Sequence, residues 1–174
     1  MKVLKLDNFI LYEYNDCGEF DDIIRKIELS DSSHYLGNIK YAIKRINQRK
    51  MENPNNFAFM AYYDDCPMGY ISITYVDSKY QVSVGVLPEF RKQNLGSLLL
   101  EEFSERILDY KNVHDLIEKC KGKIAPDMYN EGLSSVDIEE LVLKIDPSNI
   151  ASHKMAQSVG YEQVDSTTYK RKSA

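Results

Sequence analysis

The chain is short of what a metal centre, a disulfide scaffold or a membrane span would need. Its 174 residues contain three cysteines, Cys17, Cys66 and Cys120, odd in number and far apart. They form no CxxC pair and no disulfide framework, which points to a reducing cytosol. His34, His114 and His153 are equally scattered, so the usual Cys/His spacing of a zinc site is missing. No apolar run approaches the roughly 18–20 residues that cross a bilayer. The opening Met1-Lys2-Val3-Leu4-Lys5-Leu6-Asp7 meets a carboxylate before a signal-peptide core could form. Positive charge is also scarce: 22 Lys+Arg stand against 27 Asp+Glu, a net charge of −5. That balance lacks the basic footprint of nonspecific nucleic-acid binding. The expectation is a cytoplasmic chain with no metal, no membrane and no nucleic acid.

What is present is ordinary globular material, 43% hydrophobic and 28% charged, in a length that suits one domain over 1–174. Residues 9–14 read as a short strand. Phe20, Ile23, Ile24 and Ile27 recur at helical steps over about 19–29. Leu36, Ile39, Ile43 and Ile46 do so over about 33–50, opposite a basic face of Lys40, Lys44, Arg45 and Arg49. The cluster Glu52-Asn53-Pro54-Asn55-Asn56 breaks the helical pattern. Three strands follow, 57–63, about 68–76 and 80–86, joined by polar turns at Asp64-Asp65 and Asp77-Ser78. In the third, Tyr80, Val82, Val84 and Val86 alternate with Gln81, Ser83 and Gly85, as in an antiparallel hairpin.

Leu95, Leu99, Phe103 and Ile107 then repeat every four residues in a helix. Residues 111–136 read as an extended charged segment, one helix and a long loop. Strand character returns at 138–145, with Leu141, Leu143 and Ile145 alternating with Glu140, Val142 and Lys144. Pro147-Ser148-Asn149 opens a helix with Ser152, Met155, Ala156 and Val159 on one face, stopped by Gly160. One or two strands close the chain at 161–171. This order is mixed α/β with an antiparallel start, not strict βαβ alternation.

The stretch with the clearest chemistry is Val84-Gly85-Val86-Leu87-Pro88-Glu89-Phe90-Arg91-Lys92-Gln93-Asn94-Leu95-Gly96-Ser97. A strand ends at a proline, a basic loop follows, and an apolar helix begins. The backbone N–H groups of 92–97, with the positive end of the helix dipole, make an anion site suited to a pyrophosphate. Asn94 and Gly96 both tolerate the positive φ such a loop demands, and Arg91 and Lys92 add charge at its rim. Alone, the same joint would serve as a plain strand–turn–helix connection.

Two blocks together resemble the GNAT superfamily of acyl-CoA-dependent N-acetyltransferases. Arg91-Lys92-Gln93-Asn94-Leu95-Gly96 is similar to the family loop Arg/Gln-x-x-Gly-x-Gly/Ala, with Asn94 in place of the first glycine, after the lead-in Val86-Leu87-Pro88-Glu89-Phe90. Ile145-Asp146-Pro147-Ser148-Asn149-Ile150-Ala151-Ser152, followed by Gly160-Tyr161, is similar to the second family block. The resemblance implies a mixed α/β fold: a central, mostly antiparallel twisted sheet flanked by helices. It implies acetyl-CoA as acyl donor and an amine acceptor as partner, with a homodimer as a further option. The backbones of Val84, Gly85 and Val86 would pair with the pantetheine arm. The segment Arg91, Lys92, Gln93, Asn94, Leu95, Gly96 and Ser97 would hold the pyrophosphate. Asn149 would reach the pantetheine, unless it is an ordinary helix N-cap, or serve as both.

The family's catalytic groups are less visible. Many members place a tyrosine acid seven residues after the Asn, where this chain has Ala156. The glutamate base near the start of the strand before the loop falls at Tyr80, beside Gln81, and a second carboxylate position at Lys144. Tyr80 is the catalytic candidate on position alone; its alternative is a strand residue packed on the sheet. Asp77, Tyr161 and His153 are weaker substitutes, and Glu19, Asp21, Asp22, Glu28 and Asp31 form an acidic set that could attract an amine or simply be a solvated face. Two functions remain open: acetyl transfer to a small-molecule or protein amine, or a CoA-binding regulatory module that has lost catalysis.

Overall fold

The computed structural model describes residues 3–15, 18–30, 39–119 and 136–173. Among them, strands β1 (Val3–Lys5), β2 (Ile10–Glu13), β3 (Phe57–Tyr63), β4 (Cys66–Val76), β5 (Lys79–Val86), β6 (Glu140–Lys144), β7 (Glu162–Gln163) and β8 (Thr168–Lys172) form one sheet. The order is β1-β2-β3-β4-β5-β6-β8-β7. Every neighbouring pair is antiparallel except β5 with β6. Helices α1 (Gly18–Ser30) and α2 (Ile39–Gln48) cover one face; α3 (Leu95–Tyr110), α4 (Val113–Lys119) and α5 (Ile150–Ser158) belong with the other.

Strand alternation builds both cores from the same strands. Ile71, Ile73, Tyr80 and Val82 point to the α3 side, where Leu95, Leu99, Phe103, Ile107 and Ala156 pack on them. Met60 and Tyr70 point to the α1 side, against Phe20, Ile23, Ile24, Ile27 and Ile43. The isoleucine stripe of α1 is therefore the buried stripe its spacing predicts. The two hairpin turns carry Asp64, Asp65, Asp77 and Ser78 at positive φ, as two-residue turns require.

Three differences from the sequence reading have physical reasons. Val142, expected on a polar face, is buried in β6, which lies inside the sheet between β5 and β8. β1 is too short to show a period and emerges only through its pairing with β2. The second helix is described only from Ile39, so the expected start near 33 and most of the 111–136 segment lie outside the described residues, apart from α4.

Candidate active site

The parallel junction is where the sheet opens. β5 pairs with β6 at Tyr80↔Leu141 and Gln81↔Val142 only. Beyond that point the strands part, and a cleft of about 520 Å³ lies between the Val86 end of β5 and α5. On its other edge β5 stays paired with β4 up to Val86↔Gly69, and Leu87 N–H still donates to Met68 C=O at 2.8 Å. Antiparallel alternation then gives the odd residues of β5 to β4 and turns the N–H and C=O groups of residues 82, 84 and 86 toward the opening. A bulge in β4, where Tyr62 pairs with Pro67 and Ala61 with Gly69, adds twist beside this end. Two glycines allow the tight fit there: a Cβ on Gly69 would lie 2.0 Å from the Gly85 carbonyl oxygen, and one on Gly85 would lie 2.2 Å from the Tyr70 ring.

After Val86 the chain enters a 3-10 helix over Pro88–Gln93 and then α3. Asn94, between the two, takes φ 55° and ψ 20°. It is the left-handed residue the loop demands; Gly96 lies inside α3 without positive φ. Gly96 answers a packing need instead, since a Cβ there would meet Val86 Cγ2 at 3.2 Å and Met155 Sδ at 3.6 Å.

Val84, Gly85, Val86, Arg91, Asn94, Gly96, Ser97 and Asn149 all line the cleft. Two other sequence candidates do not: Gln93 is exposed and donates to the Glu89 carbonyl at 3.3 Å, and Leu95 is buried in the core. The Lys92 side chain lies outside the described residues. Sequence reasoning missed Lys154, Met155 and Ser158 on the α5 wall. Lys154 sits five residues after Asn149, a spacing that could have pointed to it.

Arg91 and Lys154 are the cations of this lining, and no carboxylate joins them among the described residues. Arg91 folds back, with Nε donating to Val86 C=O at 3.0 Å and a guanidinium nitrogen donating to Ser30 Oγ at 2.7 Å. In a chain of net charge −5, this is a local surplus of positive charge. Asn149 caps α5, its side chain accepting from Ser152 N–H at 3.2 Å, so the capping role is real and leaves the amide at the cleft wall.

Tyr80 lies outside the lining. Its side chain faces α3 and is buried, and its hydroxyl accepts from Asn53 Nδ2 at 2.9 Å and Asn55 Nδ2 at 3.1 Å while donating to Val136 C=O at 2.5 Å. Burial raises its pKa above the usual tyrosine value, against the lowering effect of the asparagine bonds. The packed reading of Tyr80 is the one this geometry supports. His153 is also occupied: Nε2–H donates to Asp146 C=O at 3.0 Å, so Nδ1 accepts from the Tyr169 hydroxyl at 2.7 Å. Tyr161 is buried against Ser104 at 2.6 Å, with its pKa pushed up to about 12 by burial. Ala156 is fully buried in the α3-side core.

An open strand edge, a cation-lined cleft and an Asn-led α3 thus meet at one place in a mixed α/β fold. The model of the acetyltransferase (GNAT) family matches residues 20–125. The chain belongs to that family. Solved structures agree on the fold. RimL, a ribosomal L7/L12 alpha-N-protein acetyltransferase in complex with coenzyme A, is similar at 10% identity and a TM-score of 0.68, covering 98% of each chain. The ribosomal-protein-S5-alanine acetyltransferase from Vibrio fischeri is similar at 7% identity and a TM-score of 0.67, covering 98% of this chain and 96% of that one. The acetyl transferase from Salmonella typhimurium that modifies the N-terminal serine of ribosomal protein L7/L12 is similar at 11% identity and a TM-score of 0.65, covering 98% and 99%. No protein of curated function matches the chain by sequence. No described helix is long and apolar enough to cross a membrane.

Proposed function

We propose that this protein transfers an acetyl group from acetyl-CoA to a primary amine of a small molecule or a protein. One observation carries the reading: past Gln81, β5 has no strand partner on its β6 side, beside a cleft whose charged groups are Arg91 and Lys154. Unpaired backbone groups in a sheet interior call for a partner. An elongated ligand with amides at one end and phosphates at the other supplies it, as CoA does.

Acetyl-CoA brings an activated thioester; the chain supplies the rest. The backbones of Val84, Gly85 and Val86 bind the arm as an added strand. The N–H groups of 92–97 and the start of α3 take the pyrophosphate, with Asn94, Gly96 and Ser97 at its surface and Asn149 on the facing wall. Val84 N–H donates to the acyl oxygen and to the charge it gains as the amine approaches. The new bond is N–C and the broken bond C–S; sulfur leaves with the electron pair and takes a proton, and the amine proton passes to water. The described lining holds no carboxylate, histidine or tyrosine to receive that proton, so the acceptor reacts as its neutral amine. A protein N-terminus is one acceptor that the activities of the structural neighbours suggest.

The test measures acetyl-CoA binding by calorimetry and free CoA release with a panel of primary amines, including peptides with free N-termini. Binding plus amine-dependent release, rising with pH toward the amine's own pKa, is expected. Binding without release for any amine would establish the CoA-binding regulatory reading, which the buried Ala156 in place of a tyrosine acid favours.

A further inference from the structure

We infer that Ser30, at the end of α1, is a positioning residue that tunes cofactor binding through Arg91. Ser30 and the Val86 carbonyl hold the guanidinium in the empty cleft, and a bound phosphate takes it from them. The inference rests on the cofactor half of the acetyltransferase reading above and adds a coupling between the cleft and a helix on the other face of the sheet.

Three observations meet at Arg91. The first is how its donors are spent. Arg91 lines the cleft, yet Nε donates to Val86 C=O at 3.0 Å and Nη2 to Ser30 Oγ at 2.7 Å. Nε and Nη2 share one edge of the planar guanidinium, an edge able to take an anion through two parallel bonds. Here that edge holds two neutral oxygens. The second is the end of α1. The helix reaches Ser30 with no basic residue in its last turn, so it brings no cation of its own to the negative end of its dipole. Arg91, 61 positions away in the chain, brings one, and Ser30 Oγ passes the bond on by donating to Ile27 C=O at 2.8 Å. The third is the seat of the loop. Leu87 is buried in the α1-side core, and Phe90 packs against both cores. The 3-10 helix that carries Arg91 therefore lies where the two layers meet, and a shift of it is felt in both.

The exchange has a direction. A phosphate matches the guanidinium edge in geometry and in charge, whereas a hydroxyl and a carbonyl match it in geometry alone. Arg91 leaves Ser30 and Val86 when a phosphate enters, and the end of α1 loses its cation. Val86 C=O, one of the groups that β5 turns toward the opening, is released in the same step and can accept from an N–H of the ligand's arm. The bonds given up are subtracted from the affinity. Such coupling is reciprocal: whatever strengthens the hold of α1 on Arg91 weakens cofactor binding, and removing the hold strengthens it.

The test is calorimetry with CoA as the probe on the parent, Ser30→Ala, Ser30→Thr, Arg91→Ala and the double variant Ser30→Ala with Arg91→Ala. Ser30→Ala is expected to raise CoA affinity about threefold, the scale of one lost hydrogen bond, and Ser30→Thr, which keeps the hydroxyl, to stay at the parent value. In the Arg91→Ala background Ser30→Ala is expected to change nothing, a non-additivity that a merely structural serine would not produce. Hydrogen exchange gives a second readout: CoA should speed exchange of the amides of 27–30 in the parent, against the usual protection by a ligand. CoA binding by the parent with equal or weaker binding by Ser30→Ala would overturn the inference and leave the acetyltransferase reading standing. The same gain with Arg91 absent, or exchange at 27–30 unmoved by CoA, would overturn it too. A parent that binds no CoA would remove both.

Discussion

The two ends of β5 solve opposite problems with the same strand. At the Tyr80 end, Tyr80 and the asparagines Asn53, Asn55 and Asn56 form a hydrogen-bonded cluster. Asn55 is fully buried, and its side chain accepts from Val113 N–H at 2.8 Å and donates to Tyr80 at 3.1 Å. Asn53 accepts from Asn55 N–H at 2.9 Å, and Asn56 accepts from Tyr75 N–H at 2.8 Å. This knot ties the start of β3, the β4–β5 hairpin, the start of α4 and the approach to β6. At the Val86 end the strand turns an edge without a strand partner to a cleft. A closed polar network stabilises and specifies; an open one binds. The knot holds the two strands together at their parallel start, and everything beyond it is free to part.

The contrast predicts where damage appears. The largest effect is expected from Gly96→Glu, which forces a side chain between Val86 and Met155 and sets a carboxylate against the anion site. Calorimetry should show CoA affinity lost by a factor of about 1,000 or more, with circular dichroism unchanged; retained affinity would refute the site. Asn55→Ala should do the reverse. It leaves Val113 N–H without its acceptor and should lower unfolding stability by about 3 kcal/mol in urea, with CoA affinity per folded molecule unaltered.

Alkaline titration separates buried tyrosines from the open cleft. Tyr161 is held at about 12 when folded and returns to about 10 when unfolded. The unfolded state releases its proton first, so this contribution, about 2–3 kcal/mol, is present below pH 10 and is lost between roughly pH 10 and 12. Tyr161→Phe should flatten that decline in a series of denaturation curves. Tyr80→Phe, next in size, should reduce stability by about 1–2 kcal/mol through the lost knot bonds and leave turnover per folded molecule within twofold. A tenfold fall in turnover would instead restore the catalytic role that position alone suggested. The smallest effect is expected from Lys154→Ala. An exposed cation contributes modestly, so CoA affinity should weaken about fivefold at low salt, the deficit shrinking as ionic strength rises.

Much of this was legible in the chain because it depends on neighbours in sequence. The stripe of α1, the two Asp-rich hairpin turns, the left-handed Asn94 and the cap at Asn149 are each decided within about four residues, by side-chain period or by φ preference. The loop after β5 belongs with them, since a strand end, a turn residue and a helix start are consecutive. Tyr80 shows the limit. Counting along the chain placed it where relatives keep a glutamate, one residue from Gln81, and a shift of one reverses the face of a strand.

Which face of β5 looks at α3, and which looks to the side of α1 and α2, was settled by packing from residues far away in sequence. Helix α3 brings Leu99 and Phe103 onto Tyr80 and Val82, and that choice leaves Gln81 and Ser83 on the other side. The fork itself needs β6, more than fifty residues beyond β5 in the chain, to pair at Tyr80 and Gln81 and then diverge. Local propensities set the elements and the turn between β5 and α3. Only long-range contacts could bring Lys154 to the cleft, bury Tyr80 in an asparagine knot and leave one strand edge open, because each depends on which distant surfaces exclude water together.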